Sequence, residues 1–211
     1  MRYCKILALS LVLVAIGYVG LNLCLWAAAA AGSASIARYA LLLGANVDIR
    51  GPQGRTPLMN AASANRLEVA SLLIQHGADV NAVSGDNRTS LGFATGSGHN
   101  SMVALLLDNG ANIEIGTRIP QWTPLMEAAA HKFVATTSLL LDRGASVRSR
   151  STEGKTALMY AAQSQGNSDV IKLLVTAGAD LDATDSNGKT ALMLAQGDEN
   201  VKLLRKLSVG N

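Results

Sequence analysis

Gly54-Arg55-Thr56-Pro57-Leu58-Met59-Asn60-Ala61-Ala62 opens a stretch that runs on through Leu67 to Ile74 and closes on Gly77-Ala78-Asp79-Val80-Asn81-Ala82. Its order is that of a turn, a short helix, a second helix and a glycine stop. Thr caps a helix well because its hydroxyl accepts from an otherwise orphaned amide, and proline is preorganised for the first helical position. Leu58, Ala61 and Ala62 put one large and two small side chains on one face of a two-turn helix, so a neighbour can approach closely. Leu67, Val69, Leu72, Leu73 and Ile74 carry the bulk of the second helix, and Gly77 suits the left-handed conformation that ends it. The stretch returns along the chain. Thr56 is followed by Thr89, Thr123, Thr156 and Thr190 at steps of 33, 34, 33 and 34. Gly77 is matched by Gly44 upstream and by Gly110, Gly144 and Gly178 downstream, at steps of 33, 33, 34 and 34. One such unit cannot bury its own apolar face, so the units stack.

A period of this length, with Thr-Pro-Leu opening a small-residue helix, resembles the ankyrin-repeat family from about residue 33 to 207. The resemblance implies an all-α solenoid of paired helices with hairpin loops, and a non-enzymatic protein-binding function. The expected divisions are a leader or anchor over 1–31, a partial capping repeat over 32–50, repeats over 51–83, 84–116, 117–150 and 151–184, and a C-terminal cap over 185–211. The third repeat carries Gly92 and Gly96 inside its first helix, each costing roughly 1 kcal/mol relative to alanine. The fourth departs at its hairpin, where Pro120-Gln121-Trp122 stands in place of the family's glycine, with one residue inserted. The fifth has its extra residue between its helices, near Gln163 to Asn167, and Lys202, Arg205 and Lys206 give the last unit a polar outer face.

The chain is 49% hydrophobic but only 4% aromatic, which suits a core of leucines and alanines. Its net charge of +3 falls to +1 once Arg2 and Lys5 are set aside, leaving 16 basic against 15 acidic residues. With no basic block, the electrostatic footprint of a nucleic-acid binder is missing. Cys4 and Cys24 both fall in the N-terminal apolar segment, so the repeats hold no thiol, disulfide or Cys-based metal site.

That segment begins with Arg2 and Lys5, continues as an apolar run from Ile6 to Trp26, and ends in the alanines Ala27 to Ala31. Positive, then apolar, then small is the order of an export signal, while the apolar length approaches the roughly 20 residues that span a bilayer. A signal cleaved near Ala29 to Ala31 and an uncleaved anchor both fit, and length favours the anchor. The positive-inside bias places the repeats across the membrane, in a periplasmic or other extracytoplasmic space. Leu21 to Cys24 matches a lipoprotein box only loosely, because Leu23 stands where a small residue is wanted. Counting back 33 residues sets Leu25 opposite Leu58 and Ala28-Ala29 opposite Ala61-Ala62, so the alanine run also fits the first helix of a first repeat.

No phosphate loop, nucleophile elbow or metal motif is present, and neither an enzyme activity nor a cofactor is expected. His76 and His99 read as structural or solvated residues. His131 ends a first helix on the presumed binding side, without an Asp, Glu or Cys at ligand or triad spacing. Asp79, Asp180 and Asp182 recur in the stops and read as loop hydrogen-bonding residues. Met59, Met126, Met159 and Met193, with Gly92 between, stand where the family has histidine; gap-filling thioethers explain them better than a soft-metal ladder.

The residue before each Thr is Arg55, Arg88, Trp122, Lys155 or Lys189. In the family this place lies beside the hairpin tip, on the side that meets partners. At a packing distance of about 8–10 Å per repeat, the column predicts a cationic rail with a Trp near its middle. These five residues and His131 form the expected protein-binding site, facing a partner that is acidic at the contact. An inhibitor or immunity-type protein that blocks one enzyme of the same compartment is the alternative to a general binding module.

Overall fold

In the computed structural model, residues 17, 19–118 and 120–209 are described, and the chain is built there from helix pairs joined by turns. The first pair is α1, over 19–31, and α2, Ala34–Leu42. It is followed by α3 (Pro57–Ser63) with α4 (Leu67–Gln75), then α5 (Ser90–Gly96) with α6 (Asn100–Asp108). Next come α7 (Pro124–Ala130) with α8 (Val134–Asp142), α9 (Ala157–Gln163) with α10 (Ser168–Thr176), and α11 (Ala191–Leu194) with α12 (Asp198–Val209). The first helices of successive pairs stack on one another, as do the second helices, in two layers. Among the described residues the one strand-type pairing is an isolated bridge between Thr184 and Thr190.

Stacking, more than capping, holds the array together. Leu58, Leu91, Leu125 and Leu158 are at most 1% exposed, with Ala61, Ala62, Ala94, Ala128, Ala129, Ala161 and Ala162 sealed around them. Each such leucine contributes roughly 2–3 kcal/mol by burial, against about 1 kcal/mol for a helix cap. Four of the five expected Thr caps form, with Thr56, Thr89, Thr123 and Thr190 each accepting from the amide three residues on, at 3.2–3.4 Å. Thr156 is the exception: its buried hydroxyl has no partner, and its amide instead donates to Met159 Sδ at 3.5 Å. Met59 Sδ accepts from the Thr56 amide in the same way. These methionines therefore close the N-terminus of their helices from within the core.

All five glycine stops adopt positive φ, between 82° and 91°. In the second repeat the amides of Gly77 and Ala78 return to the carbonyls of Ile74 and Leu73, which ends α4 in a Schellman turn. The hairpin position two residues before each Thr is left-handed too, held by Gly54, Asn87, Gln121, Gly154 and Gly188. The fourth hairpin thus keeps the common geometry without its glycine, because Gln121 takes φ 60°. A non-glycine residue there is strained by roughly 1–2 kcal/mol. Gln121→Gly should therefore stabilise the protein by about 0.5–1 kcal/mol, after allowing for glycine's greater freedom when unfolded. A urea midpoint that stays put or falls would show that Gln121 is not strained.

Of the three loop aspartates, Asp79 and Asp180 bond through their carboxylates to backbone amides as expected, and Asp182 supplies only its amide. Asp79 accepts from Asn81 and Asp180 from Asp182, each at 2.9 Å, and Asp48 reaches across to the amide of Asp79. At the first repeat, Leu23 occupies the place of the capping Thr, counting back 33 from Thr56. No turn interrupts the helix there; α1 runs through it, burying Leu25, Ala28 and Ala29. Residues 1–16 of the expected signal or anchor lie outside the described residues. No helix of the described residues is long and apolar enough to cross a membrane. At the other end α12 buries Leu204 and turns Lys202, Arg205 and Lys206 to solvent.

Candidate functional site

The five residues of the predicted rail fall on successive hairpins, but the fold engages most of them. Arg55 lays its guanidinium 4.0 Å from the centroid of Phe93, and Arg88 approaches the same ring at 5.0 Å. Met59 and Ala82 pack against Phe93, leaving the ring 7% exposed. Arg88 continues across α5 to the carbonyl of Gly92 at 3.3 Å and pairs with the Glu127 carboxylate of the next repeat. Gly92 and Gly96 make this path open. A Cβ at 92 would stand 3.2 Å from Arg88 Cγ, and one at 96 would run into Arg88 Nη2 and lie 2.8 Å from Glu127 Oε1. The two glycines cost helix propensity and gain a buried ion pair.

Glu127 is only 7% exposed, and burial lifts its carboxyl above the usual range; Arg88, and after it His131, draw it back. Trp122 is half-buried and tilts against Tyr160, with ring centroids 4.5 Å apart. Lys155 Nζ lies 5.6 Å from the centroid of the Tyr160 ring and pairs with Glu153 at 2.7 Å, a hydrogen bond that raises the lysine's pKa. Lys189 is exposed. His131 is exposed at the end of α7, donates from Nδ1 to the Glu127 carbonyl at 2.9 Å and stacks on Phe133. His76 and His99 likewise bond to backbone carbonyls, of Leu72 and Ser63.

Phe93, Glu127 and Tyr160 are thus as much part of this band as the rail itself. They share one register, four residues after the Thr, where the five repeats carry Asn60, Phe93, Glu127, Tyr160 and Leu194. The signal for them was local variation: this position changes between repeats while its neighbours Met and Ala mostly do not. Nitrogen donors accumulate along the band. Arg55 Nε, Asn60 Nδ2, Arg88 Nε and Trp122 Nε1 are the buried side-chain nitrogens left without an acceptor among the described residues. Beside Trp122 a cleft of about 420 Å³ opens between hairpins, lined also by Gly85, Asp86, Thr117, Arg118 and Pro120. Among the described residues no three His, Cys, Asp or Glu side chains gather as they would around a metal ion.

A band of cations and aromatics carried on stacked helix pairs is the surface of a repeat scaffold. The family model described as ankyrin repeats (3 copies) matches residues 25–117 and 115–185, more than half of the chain. The chain belongs to the ankyrin-repeat family. The match begins at Leu25, the side chain α1 buries in the first pair. No curated protein matches the chain.

Proposed function

We propose that this ankyrin array is a non-enzymatic binding module for an acidic protein segment, exported and held at the membrane by the residues ahead of α1. The observation that carries the binding reading is Trp122. It stands at the middle of the band, braced by Tyr160 and bordering an open cleft, with Arg55 and Arg88 on one side and Lys155 and Lys189 on the other. Braced aromatic anchors tend to dominate affinity, whereas flanking charges set on-rate and salt dependence.

Affinity capture from envelope fractions with and without crosslinking supplies the partner. Trp122→Ala should then weaken binding by about 2 kcal/mol or more, chiefly through faster dissociation. Lys189→Ala should cost less, about 0.5–1 kcal/mol, and lose its effect in high salt. A captured partner indifferent to Trp122→Ala, in a variant that still folds, would overturn the binding reading. Loss of the partner's own activity on mixing would mark an inhibitor instead of a scaffold.

Export rests on Arg2 and Lys5 preceding an apolar run with no acidic residue before Asp48. A reporter fused after Asn211 should be active only when translocated; cytoplasmic activity of that fusion would reject this reading. Between signal and anchor, the burial of Leu25, Ala28 and Ala29 favours the anchor, since cleavage near Ala29 to Ala31 would strip the first pair of α1.

A further inference from the structure

We infer that the N-terminal end of the array is seated in the surface of a lipid bilayer through Leu42 and Leu43, with Tyr39 at headgroup level. This rests on the anchored reading above and adds a contact between bilayer and repeats. Leu42 and Leu43 are 77% and 64% exposed at the end of α2. The same places in the next three repeats hold Gln75-His76, Asp108-Asn109 and Asp142-Arg143, all polar and exposed. Paired leucines there belong to the first repeat alone.

Their height is set by a hydrogen bond. The Asn46 amide donates to Asn22 Oδ1 at 2.7 Å, so the turn after α2 lies beside Asn22 of the antiparallel α1. Leu42 and Leu43 are thereby level with the part of α1 where the apolar run enters the repeat. On α1 itself Val19 and Leu23, one turn apart, are each 65% exposed and border an apolar cleft of about 380 Å³ with Ile49 and Pro52. Because Leu23 replaces the capping Thr, no turn separates α1 from the repeat it builds. An anchor that passes into α1 sets the first repeat against the bilayer.

Charge and residue type agree with a lipid surface. No Asp or Glu precedes Asp48, so this end brings no carboxylate to the lipid surface, and Arg38, exposed on α2, has a long stem that lets its charge stay at headgroup level. Tyr39, 68% exposed one turn before Leu42 and Leu43, is of the type that collects at the interface. An ordinary repeat end would need a polar outer face for solubility, as α12 has at the opposite terminus.

The test uses the full chain carrying Cys4→Ser and Cys24→Ser, reconstituted in phosphatidylcholine–phosphatidylglycerol vesicles. A polarity-sensitive fluorophore is placed at Leu43→Cys or, as comparison, at His76→Cys, both exposed positions. At Leu43 the emission should shift to the blue, and brominated lipid should quench it several-fold more than at His76. Equal quenching at the two sites, in protein that stays with the vesicles through alkaline carbonate extraction, would overturn the inference and leave the anchor intact. A blue shift without lipid quenching would also overturn it, showing that a protein surface covers the leucines. Release of the protein by carbonate would instead remove the anchored reading, and this inference with it.

Discussion

Arg88→Ala should destabilise the protein by about 2–3 kcal/mol at neutral pH, far beyond what an exposed hairpin cation is worth. Glu127 is buried, and removing Arg88 strands its charge. The figure is below that for a fully buried pair because 24% of the Arg88 side chain remains exposed and because Glu127 can take up a proton. That second route fixes the pH dependence. Burial already raises the Glu127 pKa in the folded protein, so the folded state binds more protons than the unfolded one in the window above the ordinary carboxylate pKa. Glu127's contribution to stability is therefore greatest below that window and is lost as pH rises through its folded pKa. Without Arg88, the strongest attraction drawing that pKa down, the window widens upward. The deficit of Arg88→Ala relative to the parent should shrink as pH falls from 7 to about 5. Adding Glu127→Gln should recover most of the loss, because a neutral amide is cheaper to bury. Urea unfolding of the two variants and the parent at both pH values measures this. A deficit independent of pH, or a double variant no better than the single, would show that Arg88 acts only through its packing on Phe93.

Arg88 also shows where reading a sequence stops. The Thr and Gly columns were legible because each answers a backbone demand, an amide to cap or a left-handed residue to end a helix, and such demands recur at a fixed step. The same logic put Leu58 on the packed face, and Leu91, Leu125 and Leu158 occupy its place in the following repeats, all of them buried. Pairing across repeats follows no such period. Arg88 reaches Glu127 past Gly96, where a Cβ would meet both side chains, and beside Gly92, where one would press on the arginine stem; those glycines read as defects while α5 is viewed by itself. Likewise Gln121 holds the hairpin position of a glycine, a strain paid for by the fold around it and invisible in residue type. The rail was found as a column of cations. Its aromatic half was missed because Phe93 and Tyr160 sit in a register that, in a core-facing helix, is expected to be apolar anyway.

Asn200→Leu should be the most damaging single change at the C-terminal end, costing about 3 kcal/mol. The side chain is fully buried in the last helix, and it serves three backbone groups of the preceding repeat. Its Oδ1 accepts from the Asn167 amide at 3.2 Å, while Nδ2 donates to the carbonyls of Ala162 and Ser164 at 3.2 and 2.9 Å. Asn167, 3% exposed, passes the network on, its Nδ2 donating to Ala129 at 2.7 Å and Ala161 at 3.2 Å. The physical origin is the extra residue between α9 and α10, which lengthens the connection and leaves helix-end carbonyls to be met by side chains. Two buried asparagines meet them. Leucine is branched like asparagine but larger and without a polar atom, so the variant crowds the site and leaves the Asn167 amide and the Ser164 carbonyl bare, while the Ala162 carbonyl keeps the Gln196 amide. Each bare group costs roughly 1–3 kcal/mol, softened where water enters as α12 loosens. Unfolding should lose its single transition, since a repeat array whose end interface is weakened frays from that end. Hydrogen exchange should show α11 and α12 opening first while α3 to α6 keep the parent's protection. If Asn200→Leu melted with the parent, solvent would have to reach these groups in the native protein, and the buried asparagine pair could not be what joins the last repeat to the array.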